Sequence, residues 1–414
     1  MKLHLTAIRD LLLISMTVNK GFFLIFAIFF FSCSSRVAQR EETIQDSIPE
    51  QESVYDYTES AAMFADSVLN SLTLEEKIGA CLMPSFYAES DEYTLKVIRR
   101  MIEENHIGGI VLMKGDVASA LQIAEMASEA KIPLFVSIDA EWGLAMRLKD
   151  APGFPRNGRI REDADETLMY DYGREVANEC REIGINMVLG PVVDISGVYR
   201  NIIGNRSFGP DPVRVAELGV AYAKGLESGG VVSVAKHFPG HGSSVVDSHK
   251  AVANVYKTIS DLDTLDFYPF REYINSGLSG IMAGHIKVPS LTPTGEPATV
   301  SYEILSGLLR EEMGFKGIVL TDAFNMGGAK GFSAAQALIA GADLVLCPQN
   351  IRSAIREIMD RVENGDIEVS LIDDRCRRIL FTKALFGLWD QEINRELDLE
   401  EFELNAEEIR KALL

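Results

Sequence analysis

Residues 297–324 read PATVSYEILSGLLREEMGFKGIVLTDAF, and the alternation in this stretch decides the fold. From Ser301 to Met313 apolar residues return every three or four positions, the spacing of a helix with one buried face. After a glycine-rich turn, Gly317–Thr321 is a short apolar run, the pattern of a strand covered on both faces. Asp322 follows directly, with no basic residue within several positions to explain it as a local ion pair.

Working outward, the same unit recurs. Strand candidates also fall at Ile78–Ser85, Ile107–Met113, Leu134–Asp139, Asn186–Asp194, Val231–Lys236, Gly280–His285 and Asp343–Cys347, which with Gly317–Thr321 makes eight. Helix-like stretches lie between them at Glu92–Asn105, Ala118–Ala130, Asp165–Ile183, Val213–Ser228 and Ser301–Met313. Eight β–α units in this order predict an α/β fold, a single-domain (β/α)8 TIM-like barrel. A doubly wound parallel sheet is the competitor, because periodicity does not show closure.

The 414 residues are 47% hydrophobic and 24% charged, an ordinary globular composition. A formal charge of −21 repels polyanions and argues against nucleic acid as a partner. Five scattered cysteines make no disulfide framework. The one long apolar run, GFFLIFAIFFFS at 21–32, is short for a membrane span and suits the core of a secretory signal. Cys33 follows a small residue and precedes a polar tract, the pattern of a bacterial lipoprotein signal, although Phe30 stands where leucine is usual. The expectation is an exported protein, in the periplasm or at the outer membrane, held to the membrane by a lipid on Cys33. A cleaved signal with an incidental cysteine is the alternative. Residues 1–32 are then the signal, 33–57 a polar tether, 58–388 the barrel, and 389–414 an acidic helical tail that docks on the barrel or leads elsewhere.

Catalytic groups of such barrels sit at the C-terminal ends of the strands. Here those ends are polar: Asp139 and Glu141, Asp194, Lys236 and His237, His285, and Asp322. Any one of them could be a strand-end cap or a solvated loop charge, but five polar ends at one rim point to a site. The segment KHFPGHGSSVVDSHK (236–250) is the most loaded, holding three of the six histidines. A metal set of His237, His241, His249 and Asp247 is one reading. Against it, Pro239-Gly240 breaks the helix that a paired-histidine zinc site uses, and no metal is expected. A positioned acid/base is the other: Asp247 and His249, two apart, share a face on extended chain, and the carboxylate fixes the imidazole tautomer. Solvated loop histidines are the bland version. Asp322 suits a nucleophile or electrostatic stabiliser beneath a sugar ring, or else the N-cap of a following helix. No P-loop, dinucleotide fingerprint or serine elbow appears, so no cofactor is expected.

These motifs resemble glycoside hydrolase family 3, in its β-N-acetylhexosaminidase branch, from about Leu72 to Leu388. The resemblance is carried by LTLEEKIG (72–79), IDAEWGLAMR (138–147), GPVVDI (190–195), IGNRSFGPDP (203–212), KHFPGHG (236–242), DSH (247–249), the quoted 297–324 stretch and AGADLVL (340–346). It implies Asp322 as catalytic nucleophile, His249 as general acid/base and Asp247 as its orienting partner. Asp139, Arg206, Lys236 and His237 match the positions that hydrogen-bond the sugar. It further implies a retaining, exo-acting β-N-acetylglucosaminidase working through a covalent glycosyl-enzyme on amino-sugar glycans such as peptidoglycan fragments. An N-acetylglucosaminide phosphorylase, another β-glycosidase of the family, and a glycan-binding lipoprotein without turnover are the alternatives. Two departures stand out. Glu141-Trp142-Gly143 replaces the family's acidic–Gly–Gly pattern, so the ring is expected to line or narrow the subsite beside Asp139; Trp142 as a stacking platform or a buried ring are both open. The tail AEEIRKALL resembles the start of a helix that leads into a second domain in longer relatives.

Overall fold

Apolar runs bounded by glycine, proline and polar caps become strands covered on both faces, and the amphipathic segments between them become the covering helices. The computed structural model describes residues 52–196, 202–244, 252–391, 393 and 397–414. Eleven strands are present among them: β1 (Leu82–Met83), β2 (Ser85–Ala88), β3 (Gly109–Gly115), β4 (Phe135–Ile138), β5 (Met187–Val188), β6 (Val232–Phe238), β7 (Ala253–Asn254), β8 (Gly280–Ala283), β9 (Ile286–Lys287), β10 (Ile318–Thr321) and β11 (Val345–Leu346). All eight expected runs therefore contain a strand.

The main sheet has seven parallel strands in the order β10-β8-β6-β5-β4-β3-β2, and β1 pairs separately with β11. Gly108 N donates to Leu82 O at 3.0 Å, tying that pair to the β3 side, and Thr321 N donates to Leu344 O at 3.0 Å on the β10 side. The arrangement is TIM-like, but one regular eight-stranded ladder is not present among the described residues. The cause lies in the first expected strand. Thr73 accepts from Glu76 N while the Glu76 side chain returns to the Thr73 backbone, a capping box that makes Leu74–Ala80 helical. Two strand residues are left before Pro84, which has no N–H to give a ladder. A small parallel pair, β7 with β9, completes the strands.

The helices fall close to expectation: Glu92–Asn105, Val117–Ser128, Glu166–Ile183, Pro212–Ser228 and the helical turn series Glu303–Glu312. Capping aspartates fix their starts; Asp165 accepts from Leu168 N and Asp211 from Val213 N. Helix Glu52–Leu69 begins within the span 33–57 expected as a tether. The signal, Cys33 and residues 33–51 lie outside the described residues. The tail docks: in helix Leu399–Leu413, Phe402, Ala406 and Leu413 are buried. No described helix is long and apolar enough to cross a membrane.

Candidate functional site

Four of the strands lead into polar residues at one rim. Asp139 follows β4, Asp194 follows β5, Lys236 and His237 close β6, and Asp322 follows β10. Successive strand residues normally face opposite sides. The register shift of β6 against β8 between Lys236 and Phe238 breaks that alternation, and Lys236 and His237 both line the same cavity. The cavity, of about 220 Å³, is also bordered by Asp139, Glu141, Arg147, Arg206, His241 and Asp322.

Its charges are organised as pairs. Lys236 Nζ donates to Asp139 Oδ1 at 2.8 Å and lies 2.8 Å from Glu141 Oε1. Arg147 Nη2 bonds the other Asp139 oxygen. Arg206 grips Glu141 with two parallel bonds, Nε to Oε2 at 2.8 Å and Nη2 to Oε1 at 2.7 Å, the bidentate geometry that suits a guanidinium. Burial pushes the Asp139 carboxyl up, but Lys236 and Arg147 outweigh it and hold the group well below the usual carboxylate range. Burial acts on Glu141 too, and there Lys236 and Arg206 win, bringing it to about 2. Burial alone would drive the Lys236 ammonium to give up its proton; Asp139 and Glu141 hold its pKa above the ordinary value instead. The floor of the cavity is thus fully ionised at neutral pH and stocked with hydrogen-bond acceptors and donors for hydroxyl groups.

Asp194 organises the next layer. Its Oδ2 lies 2.7 Å from His237 Nδ1, and its Oδ1 accepts from His241 N at 2.6 Å. Arg206 Nη2 is 3.5 Å from His237 Nε2. Because a guanidinium can only donate, Nε2 is the acceptor face and Nδ1 carries the proton given to Asp194. Burial raises the Asp194 carboxyl, yet His237 and His241 bring it below its ordinary value. The glycines of PGHG are tight-packing positions rather than sources of loop freedom: a Cβ at Gly242 would lie 1.6 Å from Ile195 O, and Gly240 has φ +125° against Asp266.

Asp322 is held from its backbone outward. Its N–H donates to Ala283 O at 2.7 Å, and its Oδ1 accepts from Ala323 N at 2.8 Å. His285 does not line the cavity. Buried behind Asp322, it places Nε2 3.0 Å from Ala323 O and Nδ1 2.9 Å from Thr299 Oγ1. Trp142 corrects the expectation as well: its ring lies under the Arg156 guanidinium, 4.3 Å from centroid to Cζ, and does not border the cavity. Glu141, the residue before it, is the one that enters the site.

Asp139, Arg206, Lys236, His237 and Asp322 are thus brought together. Asp247 and His249 lie outside the described residues, and with them half of the alternative metal set. Arg147 was missed from sequence, although it ends the IDAEWGLAMR motif. A second cavity, of about 450 Å³, shares the lining residues Asn325 and Cys347 with the first.

Residues 73–382 match the model of the glycosyl hydrolase family 3 N-terminal domain. A β-hexosaminidase of Nitrosomonas eutropha is 34% identical over 258 residues, 58% of this chain and 73% of that protein. β-Hexosaminidase A of Pseudoalteromonas piscicida is 34% identical over 327 residues, 69% of this chain, and the chain spans 55% of that protein's length. Among solved structures, a family 3 β-N-acetylglucosaminidase from Paenibacillus superposes with a TM-score of 0.73 at 32% identity, covering 83% of this chain and 69% of that one. The chain belongs to glycosyl hydrolase family 3, in its β-hexosaminidase branch.

Proposed function

We propose that the protein is an exo-acting, retaining β-N-acetylglucosaminidase that removes terminal N-acetylglucosamine from peptidoglycan-derived or related glycans. One observation carries the reading: Asp322, at the mouth of β10, borders the same small cavity as the ionised Asp139–Lys236–Glu141–Arg206 cluster. At about 220 Å³ the cavity is below the usual size for a drug-sized ligand and suits a single sugar ring, as exo-action requires.

In this mechanism the cluster accepts from and donates to the sugar hydroxyls, orienting the anomeric carbon over Asp322. The Asp322 carboxylate attacks that carbon while His249, oriented by Asp247, protonates the departing oxygen. The anomeric carbon–oxygen bond to the leaving group breaks and an ester to Asp322 forms. His249 then takes a proton from water, which attacks the same carbon and frees Asp322. Export and a lipid on Cys33 would place this chemistry on a membrane facing the cell wall.

The test is release of aryl alcohol from an aryl β-N-acetylglucosaminide and from the matching β-glucoside, with and without phosphate, by the unmodified protein and by Asp322→Ala. Amino-sugar turnover independent of phosphate and absent in the variant is expected. Sugar binding by folded protein that turns over neither substrate would overturn the proposal.

A further inference from the structure

Helix Leu399–Leu413 contributes no side chain to the cavity, yet it is bonded to the segment that holds one of the cavity's arginines. Arg410 Nε donates to Gly153 O at 2.7 Å, and Leu413 O accepts from Arg161 N at 2.9 Å. The helix therefore clamps residues 153–161 at both ends. Within that segment Phe154 N donates to Trp142 O at 3.0 Å, beside Glu141, and Asn157 Nδ2 donates to Arg206 O at 2.7 Å. The approach is close: a Cβ at Gly158 would lie 3.1 Å from Asn205 Cα. From Arg206 the connection passes to Glu141 through two bonds and to the edge of His237. Loop backbone takes its position from the partners that satisfy it. The placement of Arg206 is thus tied to a segment that helix Leu399–Leu413 bonds at both ends, with Arg214 Nη2 adding a bond to Arg161 O at 3.0 Å.

The seat beneath that helix is not optimised for adhesion. Glu179 is buried with no hydrogen-bond partner among the described residues for either carboxyl oxygen, and the Tyr172 hydroxyl beside it likewise has none among them. Arg410 and Glu403 face Glu179 from the helix, Glu175 faces it along its own helix, and Cys180, Tyr172 and Tyr222 are its buried neighbours. Buried polar groups without partners are costly, and these would regain water if the helix lifted. Docking therefore rests on the Arg410 side-chain bond to Gly153 O, the backbone bond from Arg161 N to Leu413 O, and the buried Phe402, Ala406 and Leu413.

We infer that the terminal helix is a strap for the active site, with Arg410 a positioning residue that sets Arg206 in the sugar cavity through residues 153–161. This rests on the reading of Arg206 as a sugar-binding residue. The experiment is a double-mutant cycle: kcat and KM on an aryl β-N-acetylglucosaminide for the unmodified protein, Arg410→Ala, Arg206→Ala and the double variant. Misplacement of a binding group by a fraction of an ångström to an ångström predicts about a tenfold loss of kcat/KM in Arg410→Ala, chiefly through KM. Arg410→Lys, whose ammonium can still donate to Gly153 O, restores most of it. In the Arg206→Ala background the Arg410→Ala step changes kcat/KM by less than about twofold, as expected of two residues acting through one interaction. Equal losses in both backgrounds, or no loss in the first, overturn the inference. The same four proteins titrated calorimetrically with N-acetylglucosamine give the cycle in Kd without turnover, so failure of the hydrolase reading is distinguished from failure of the strap.

Discussion

Glu227 offers a direct test of how the strand that carries Lys236 and His237 is held. Its Oε1 accepts from Ser233 Oγ at 2.6 Å, in β6, and from Ser279 N at 2.9 Å, just before β8; its Oε2 accepts from Ser279 Oγ at 3.0 Å. Burial, only partly offset by those donors, pushes the carboxyl from 4.5 up to about 7. Between those values the folded protein keeps a proton that the unfolded chain has lost. The contribution of the protonated group is therefore fully present below pH 4.5 and is lost as pH rises through 7. At 1.36 kcal/mol per pH unit, the loss amounts to about 3 kcal/mol. Glu227→Gln mimics the protonated acid: its carbonyl takes the two Oε1 bonds, and its amide faces the Ser279 hydroxyl, which can turn to accept. Urea unfolding of both proteins from pH 4 to 8.5 should show similar stability at the acid end. The variant should gain by up to about 3 kcal/mol at the alkaline end. A difference between the two proteins that does not change with pH would refute the assignment.

Other consequences follow from the same physics. Lys383 is fully buried, donating to Gly108 O at 2.8 Å, and burial pushes its amine from 10.5 down to about 7. Stability is lost as pH falls from 10.5 towards 7, so Lys383→Met should be favoured most at and below neutrality, and its advantage should shrink by up to about 5 kcal/mol towards pH 10.5 in denaturant titrations. Asp194→Asn removes the charge that holds the His237 proton on Nδ1. Losing one charge-assisted bond of this kind predicts a roughly ten- to hundredfold fall in kcat/KM, with a lower unfolding midpoint because the asparagine amide would face a backbone or ring N–H. An unchanged rate would show that the His237 tautomer does not matter.

Much of this was legible because of where charge interrupts apolar runs. Asp139, Lys236 and Asp322 each end a stretch such as GIVLT, and a carboxylate or ammonium at the close of a buried strand has few structural explanations. The strand positions followed from the same runs, since each parallel strand covered on both faces is continuously apolar, whereas their order in the sheet did not. What escaped was set by contacts distant in sequence. Arg206 and Glu141 are 65 positions apart, and nothing local shows that one grips the other. Trp142 was read by its size, but Arg156 covers it, and the small neighbour Gly143, at φ +83°, turns the chain against Phe154. The first strand starts later than expected for a local reason: the Thr73–Glu76 capping box converts Ile78–Ala80, which alone reads as strand, into the end of a helix.

The proposed retaining chemistry requires that Asp322 become covalently glycosylated. The measurement is mass analysis of the protein after reaction with a fluorinated N-acetylglucosaminyl fluoride, whose ester intermediate turns over slowly, followed by peptide mapping. One added sugar on the peptide containing Asp322, none in Asp322→Ala, and recovery of unmodified protein with time are expected. An adduct on any other residue, or none while the substrate is consumed, would contradict that chemistry.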